Sequence, residues 1–230
     1  MNVGVFTTIK VKNGIPLFWE KHHNRLISQA EKLNLGHPTI SLQRVQTFIK
    51  HNNLTDCAVK ITITKQKGVT IEHRQLPEIL PIYKLIRVID ARNYRKIYKT
   101  TDRAINEEAI KLAEEKNAND AFFTFDGNII ESTISNVFFL NKHGEISTPL
   151  IKARGLNGIT RQLIMEDTNV LESDILDNTK GPLVLVNCLR IQKATHLNGK
   201  KLIDGQRLAQ TLKTIIENRE RKYLLEKTSA

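Results

Sequence analysis

The 230 residues, 40% hydrophobic and 26% charged, are enough to bury a core, and no low-complexity stretch points to disorder. Against 24 Asp and Glu stand 35 Lys and Arg, a net charge of +11; because acids are interleaved, as in INEEAIKLAEEK and IIENRERKYLLEK, this reads as solvated helix face rather than a nucleic-acid stripe. Apolar runs such as LVLV at 183–186 are too short to span a bilayer, no signal-peptide core is visible, and Cys57 and Cys188 lack CxxC spacing, so a cytoplasmic chain with two reduced thiols and no metal centre is expected.

In chain order, VGVFTTIKV reads as a strand, and the Asn13-Gly14 pair before IPLFW is a hairpin signal. From Trp19 the spacing of His22, Leu26, Ala30 and Leu33 predicts a helix ending near Asn34 to Gly36, and SLQRVQTFIKHNN predicts a second. AVKITITKQ, VTIEHR and KLIRVID follow as strands, so residues 1–90 are expected to form a small α+β domain. Residues 91–98 are a polar, basic connector expected to link two domains. Within YRKIYKTTDR at 94–103, Thr101 and Asp102 are good N-caps for a helix striped by Ile105, Ala109, Leu112 and Ala113. AFFTF, the DG turn at 126–127, IIESTIS, NVFFL and EIST predict short strands. A helix from Thr160 past Met165, a buried strand PLVLVN and a closing helix striped by Leu208, Leu212, Ile215 and Ile216 complete a second domain over 99–230.

Four stretches carry candidate chemistry, each with an ordinary reading beside it. GLNGITRQ at 155–162 places two glycines before a helix whose first hydroxyl is Thr160, which either aims backbone N–H groups at a phosphate or is a plain N-cap. HHNRL at 22–26 sets Arg25 next to two histidines; a surface arginine is the ordinary reading, and no partner ligand has metal spacing. Glu131 interrupts the apolar and hydroxyl-rich GNIIESTISN, so its carboxylate faces water or needs a buried partner. Asn187 in VNCLR ends an apolar strand, a turn by default.

Taken in order with Lys99, these stretches resemble the fold-type-IV pyridoxal-phosphate enzymes, the class IV aminotransferases with 4-amino-4-deoxychorismate lyase. The family pattern is a lysine and a helix, then D-x-G-x-[IV]-x-E-x-x-x-S-N-[IV]-F, T-P and G-[IV]-x-x-G-I-[TM]-R; this chain reads FDGNIIESTISNVFF, STP and GLNGITR. The resemblance implies an α+β, two-domain fold like that of D-amino acid aminotransferase, with a small amino-terminal domain, a larger barrel-like carboxy-terminal one and pyridoxal 5′-phosphate between them. It also implies a homodimer acting on a small amino substrate. By the same resemblance Lys99 forms the Schiff base and shuttles the proton, Glu131 holds the pyridine nitrogen protonated, and Arg25, Ile159, Thr160 and Asn187 serve the phosphate. Arg103 falls where lyase-like members have the arginine of an N-R pair beside the phenolate oxygen, although the pair here is Asp102-Arg103.

The reaction is read from finer resemblances. GVFTTIKVKNG is similar to the GDGxFTT stretch of some aminodeoxychorismate lyases, whose second threonine, Thr8 here, projects toward substrate, whereas many aminotransferases carry glutamate in place of Thr7. The lyase is therefore the expected activity, with a branched-chain or D-amino acid aminotransferase as the alternative, and a non-catalytic homologue or basic nucleic-acid binder behind both. TKQKGVTIEHR is shorter than the family loop that carries substrate-recognising side chains, and the chain starts almost at the opening strand.

Overall fold

The hairpin forms where Asn13 and Gly14 predict it: both take positive φ (53° and 75°), bending β1 (Val5–Lys12) back into β2 (Ile15–Pro16). The structure, a computed structural model, describes residues 3–36, 38–92, 98–141, 143–151 and 154–228. β1 is central in a four-stranded antiparallel sheet of order β2-β1-β3-β4, with β3 at Cys57–Thr64 and β4 at Gly68–Arg74. Alternation along β1 divides two faces. Val5, Ile9 and Val11 sink into a core with Leu26 and Ala30 of α1 (Trp19–Lys32) and Val45 and Ile49 of α2 (Leu42–His51), leaving Phe6, Thr8 and Lys10 on the opposite face.

The chain packs as two units whose limits differ from the expected 1–90, 91–98 and 99–230. One unit gathers the chain up to Glu78, Tyr98–Asp102 and the residues from Arg219 on; the other begins at Ile79 and resumes over Arg103–Asn218. Two long-range pairings account for the difference. β5 (Lys84–Ile89), adjacent in sequence to the first sheet, pairs in parallel with β6 (Asp120–Phe125). At the far end of α5 (Gln206–Thr228), the buried Glu220 accepts hydrogen bonds from Lys10 (2.7 Å) and Lys12 (3.1 Å). Of the expected connector, residues 93–97 lie outside the described residues.

The capping expectation at Thr101 and Asp102 is also corrected. α3 (Ala104–Glu115) has Arg103 at its N-cap position, with no side-chain capping bond. Thr101 is engaged by tertiary pairing instead: its Oγ1 accepts the Gly4 N–H at 2.8 Å, and its own N–H donates to the Gly4 carbonyl. A long-range ladder has displaced a local cap.

In the second unit two five-stranded sheets face each other. One has the order β14-β13-β5-β6-β7, with β7 at Asn128–Ser132, β13 at His196–Leu197 and β14 at Lys200–Lys201. The other is β10-β9-β8-β11-β12, with β8 at Asn136–Leu140, β9 at Ile146–Pro149, β10 at Leu171–Ser173, β11 at Leu183–Val186 and β12 at Ile191–Lys193. Leu85, Phe122, Ile129, Val137, Leu183 and Leu185 from both sheets share one core, the barrel-like arrangement expected. On the outer face Ala109 and Ala113 of α3 pack against Ile86, Ala121 and Phe123, with Ile105 and Leu112 beside them, as their spacing predicts.

A bulge in this unit decides where one carboxylate points. Phe123 pairs with Glu131 but Thr124 pairs with Ile129, so Ile130 is an extra residue in β7. In a regular strand Ile129 and Glu131 would share a face. The inserted residue leaves Ile129 in the core between the sheets and turns Glu131 to the Phe123 face.

Candidate active site

Lys99 is held at its backbone from two sides within the first unit. Its N–H donates to Gln29 Oε1 (3.0 Å) and its carbonyl accepts the Phe6 N–H (2.9 Å), while Val5 and Thr100 form an antiparallel bridge. The segment thereby lies along the amino-terminal edge of β1, which β2 leaves uncovered. The Lys99 ammonium sits over the Phe6 ring, 4.8 Å from its centroid. Lys60, the cross-strand neighbour of Thr8, places its own Nζ 5.3 Å from the same centroid. Thr8 is buried and lies two residues beyond Phe6 on the same face of β1.

Arg25 stands on the α1 side of that sheet. Its Nη2 donates to Thr7 Oγ1 at 3.0 Å, and Thr7 Oγ1 is 2.7 Å from His22 Nδ1. Burial, with Arg25 and Lys99 nearby, holds the His22 imidazole well below its ordinary 6.5, so the ring is neutral. His22, Arg25 and Gln29 make one stripe of α1, with entry into the helix fixed by Phe18 at φ 53° and by Tyr223, whose hydroxyl accepts the Trp19 N–H.

In the second unit the short stretch 131–136 organises the remaining residues. Glu131, 8% exposed, accepts Arg92 Nη1 at 2.6 Å on one oxygen and the Leu156 N–H at 3.0 Å on the other. Arg92 in turn donates Nε and Nη2 to Asp90 and lies 4.1 Å from the Phe123 ring centroid. Burial alone would lower the Arg92 pKa, but Asp90 and Glu131 outweigh it and raise it, so the guanidinium stays charged. Arg103 donates Nη2 to the Thr133 carbonyl at 2.8 Å; burial lowers its pKa from the ordinary arginine value. Asn187 donates Nδ2 to Ser135 Oγ (3.0 Å), and its Oδ1 accepts the Leu189 and Arg190 N–H groups. It is both the turn residue of the default reading and tied to the 131–136 stretch.

Ile159 and Thr160 open α4 (Ile159–Asp167) behind Gly158, the N-cap, so their N–H groups belong to the first turn, which has no intrahelical acceptors. Asn136 braces the approach: its Nδ2 donates to the Leu156 carbonyl at 2.8 Å, and a Cβ on Gly158 would collide with its Oδ1. Lys99, Thr8 and Arg25 thus lie in one unit, Lys99 Nζ with the Phe6–Thr8 face of β1 and Arg25 on the α1 side, and Glu131, Arg103, Ile159, Thr160 and Asn187 lie in the other. Arg92, Thr7, His22, Gln29 and Asn136 were not singled out by sequence reasoning as cofactor residues. His22 left a signal three residues before Arg25 on a helix, Asn136 stands on the S-N of the quoted family pattern, and Thr7 at the position where many aminotransferases carry glutamate; Arg92 and Gln29 left none.

Each unit carries groups of the kinds that pyridoxal phosphate needs. In the first, Lys99 offers an amine of the kind its aldehyde takes and Arg25 a cation of the kind its phosphate takes. In the second, Glu131 offers an anion of the kind a protonated pyridine nitrogen takes, each oxygen with a further lone pair beyond the bond it accepts, and the α4 first turn offers N–H donors.

These features define the class: a two-domain pyridoxal-phosphate fold of type IV, α+β, with a small amino-terminal domain and a larger barrel-like one. The chain belongs to the class IV aminotransferase family, whose model, amino-transferase class IV, matches residues 4–177. It is similar to an aminodeoxychorismate lyase of Bacillus subtilis, 24% identical over 190 residues, an alignment that covers 72% of this chain and 64%, under two thirds, of that protein's length. It is equally similar, 24% over 238 residues, to a D-alanine aminotransferase of Listeria monocytogenes, with 89% of this chain and 81% of that one covered. An aminotransferase from Brucella abortus, solved bound to the cofactor PLP, superposes with a TM-score of 0.80 at 18% identity, covering 95% of this chain and 89% of that one.

Proposed function

We propose that the chain is a pyridoxal-phosphate enzyme that acts as a 4-amino-4-deoxychorismate lyase, releasing pyruvate to leave 4-aminobenzoate, an aromatic acid used in folate synthesis. The observation that carries this reading is the face of β1: Thr8 lies beside Phe6, over whose ring the Lys99 amine is held. When bound, the cofactor acts as an electron sink for the carbon bearing the substrate nitrogen. Lys99 Nζ takes the proton from that carbon, the bond between the ring carbon and the enolpyruvyl oxygen breaks, and the ring becomes aromatic with its amino group retained, while the departing enolate takes up a proton and leaves as pyruvate. Thr8 supplies a hydroxyl to orient the substrate, and Lys60 a cation suited to one of its carboxylates. Glu131, fixed by Arg92, keeps a negative charge for the ring nitrogen, and Arg25, Ile159, Thr160 and Asn187 serve the phosphate. Arg103 is assigned to the phenolate side. The active form is taken to be a cytoplasmic homodimer.

Amino transfer is the second reading, favoured by the longer alignment with D-alanine aminotransferase. Loaded protein given 4-amino-4-deoxychorismate, and separately a keto acid with an amino donor, separates the two. Pyruvate release coupled to 4-aminobenzoate supports the lyase. Turnover of the amino-donor pair alone overturns it in favour of the transferase.

A further inference from the structure

We infer that Thr7 and His22 form a relay that positions Arg25 for the cofactor phosphate, an inference that rests on the cofactor reading above. Thr7 is fully buried on the helix-facing side of β1, among Val5, Ile9 and Val11, where a hydroxyl is costly unless bonded. It makes two bonds there. Arg25 Nη2 donates to its Oγ1 at 3.0 Å, and His22 Nδ1 lies 2.7 Å from the same oxygen.

The chemistry fixes the direction of the first bond: a guanidinium only donates, so Thr7 Oγ1 accepts from Arg25. The relay assigns the hydroxyl proton to His22 Nδ1, with the ring proton on Nε2. Burial beside Arg25 and Lys99 favours the neutral imidazole that this assignment needs. His22 is 1% exposed and stands one helical turn before Arg25, so α1 itself sets their spacing.

The consequence is preorganisation. An arginine side chain loses rotamer freedom on clamping a phosphate, and a guanidinium already held by a buried hydroxyl has less to lose. Thr7 and His22 are positioning residues: neither is assigned a contact with the cofactor. The relay gives Thr7 a role separate from that of its neighbour Thr8 on the opposite face.

The test is titration of the apoprotein with pyridoxal phosphate and with pyridoxal, which has the same ring and aldehyde but no phosphate. Thr7→Val, nearly isosteric, is expected to weaken pyridoxal phosphate binding roughly tenfold, from the loss of one hydrogen bond to a charged group. Its pyridoxal affinity should stay at the wild-type value. Thr7→Ser and His22→Asn, each keeping the needed hydroxyl or acceptor, should recover most of the loss. The pair Thr7→Val with His22→Leu should be no weaker than the weaker single variant. Equal losses for both ligands, or no loss in Thr7→Val, overturn the relay while leaving the cofactor reading intact. A wild-type protein that binds neither ligand overturns that reading, and the relay with it.

Discussion

Arg92→Met probes the connection on which the proposed role of Glu131 depends. The substitution removes the 2.6 Å bond to Glu131 and the bonds to Asp90 while keeping an unbranched apolar stem against Phe123. The two carboxylate side chains are 11% and 1% exposed, so both charges are stranded largely out of water. Breaking a buried ion pair from one side costs about 3–5 kcal/mol, and the low end applies because Glu131 keeps the Leu156 N–H. For a chain of this size a loss of ~3 kcal/mol lowers the unfolding midpoint by roughly 6–12 °C. Calorimetry of the apoprotein reads this directly, with Glu131→Gln and the double variant completing a cycle. The double variant should be less destabilised than the sum of the singles by about 1–3 kcal/mol. An Arg92→Met midpoint equal to wild type, or strict additivity in the cycle, would refute the reasoning.

Three further outcomes follow from the same contacts. Gly158→Ala drives a Cβ into Asn136 Oδ1 at the start of α4 and is expected to cost about 1–3 kcal/mol in denaturant unfolding. It should also weaken cofactor binding, and unchanged affinity would remove the α4 terminus from the phosphate site. Glu220→Gln takes the charge from a carboxylate serving both Lys10 and Lys12 and should destabilise by about 1–3 kcal/mol, an effect absent if the pairs are merely superficial. The folded His22 pKa is depressed, so the unfolded chain binds that proton first as pH falls. Stability from this group is complete above pH 6.5 and declines below it, by up to about 1.4 kcal/mol per pH unit, until the depressed value is passed. His22→Asn should flatten that part of the profile; an unchanged slope means His22 does not titrate there.

What could be read from the chain alone was local. The β1–β2 turn, the α3 stripe and the GLNGITR entry to α4 each announce themselves through spacing or turn chemistry within a dozen residues. Glu131 was legible as an anomaly, a carboxylate in an apolar run. Its partner was not: Arg92 is 39 residues away in sequence and is brought alongside by the β5–β6 pairing and the Ile130 bulge. Thr101 shows the same limit from the other side, since a good capping residue was claimed by Gly4, 97 residues distant. The compact units draw together distant stretches in the same way, and β10 and β12–β14, two or three residues each, are too short to carry a period.

The central claim is that Lys99 carries the cofactor. Protein loaded with pyridoxal phosphate, reduced with borohydride and digested should yield one peptide bearing the pyridoxyl group, with the label on Lys99, and Lys99→Ala should lose both the label and the near-visible absorbance band. Label on another lysine, such as Lys60, or no label at all, would contradict the account.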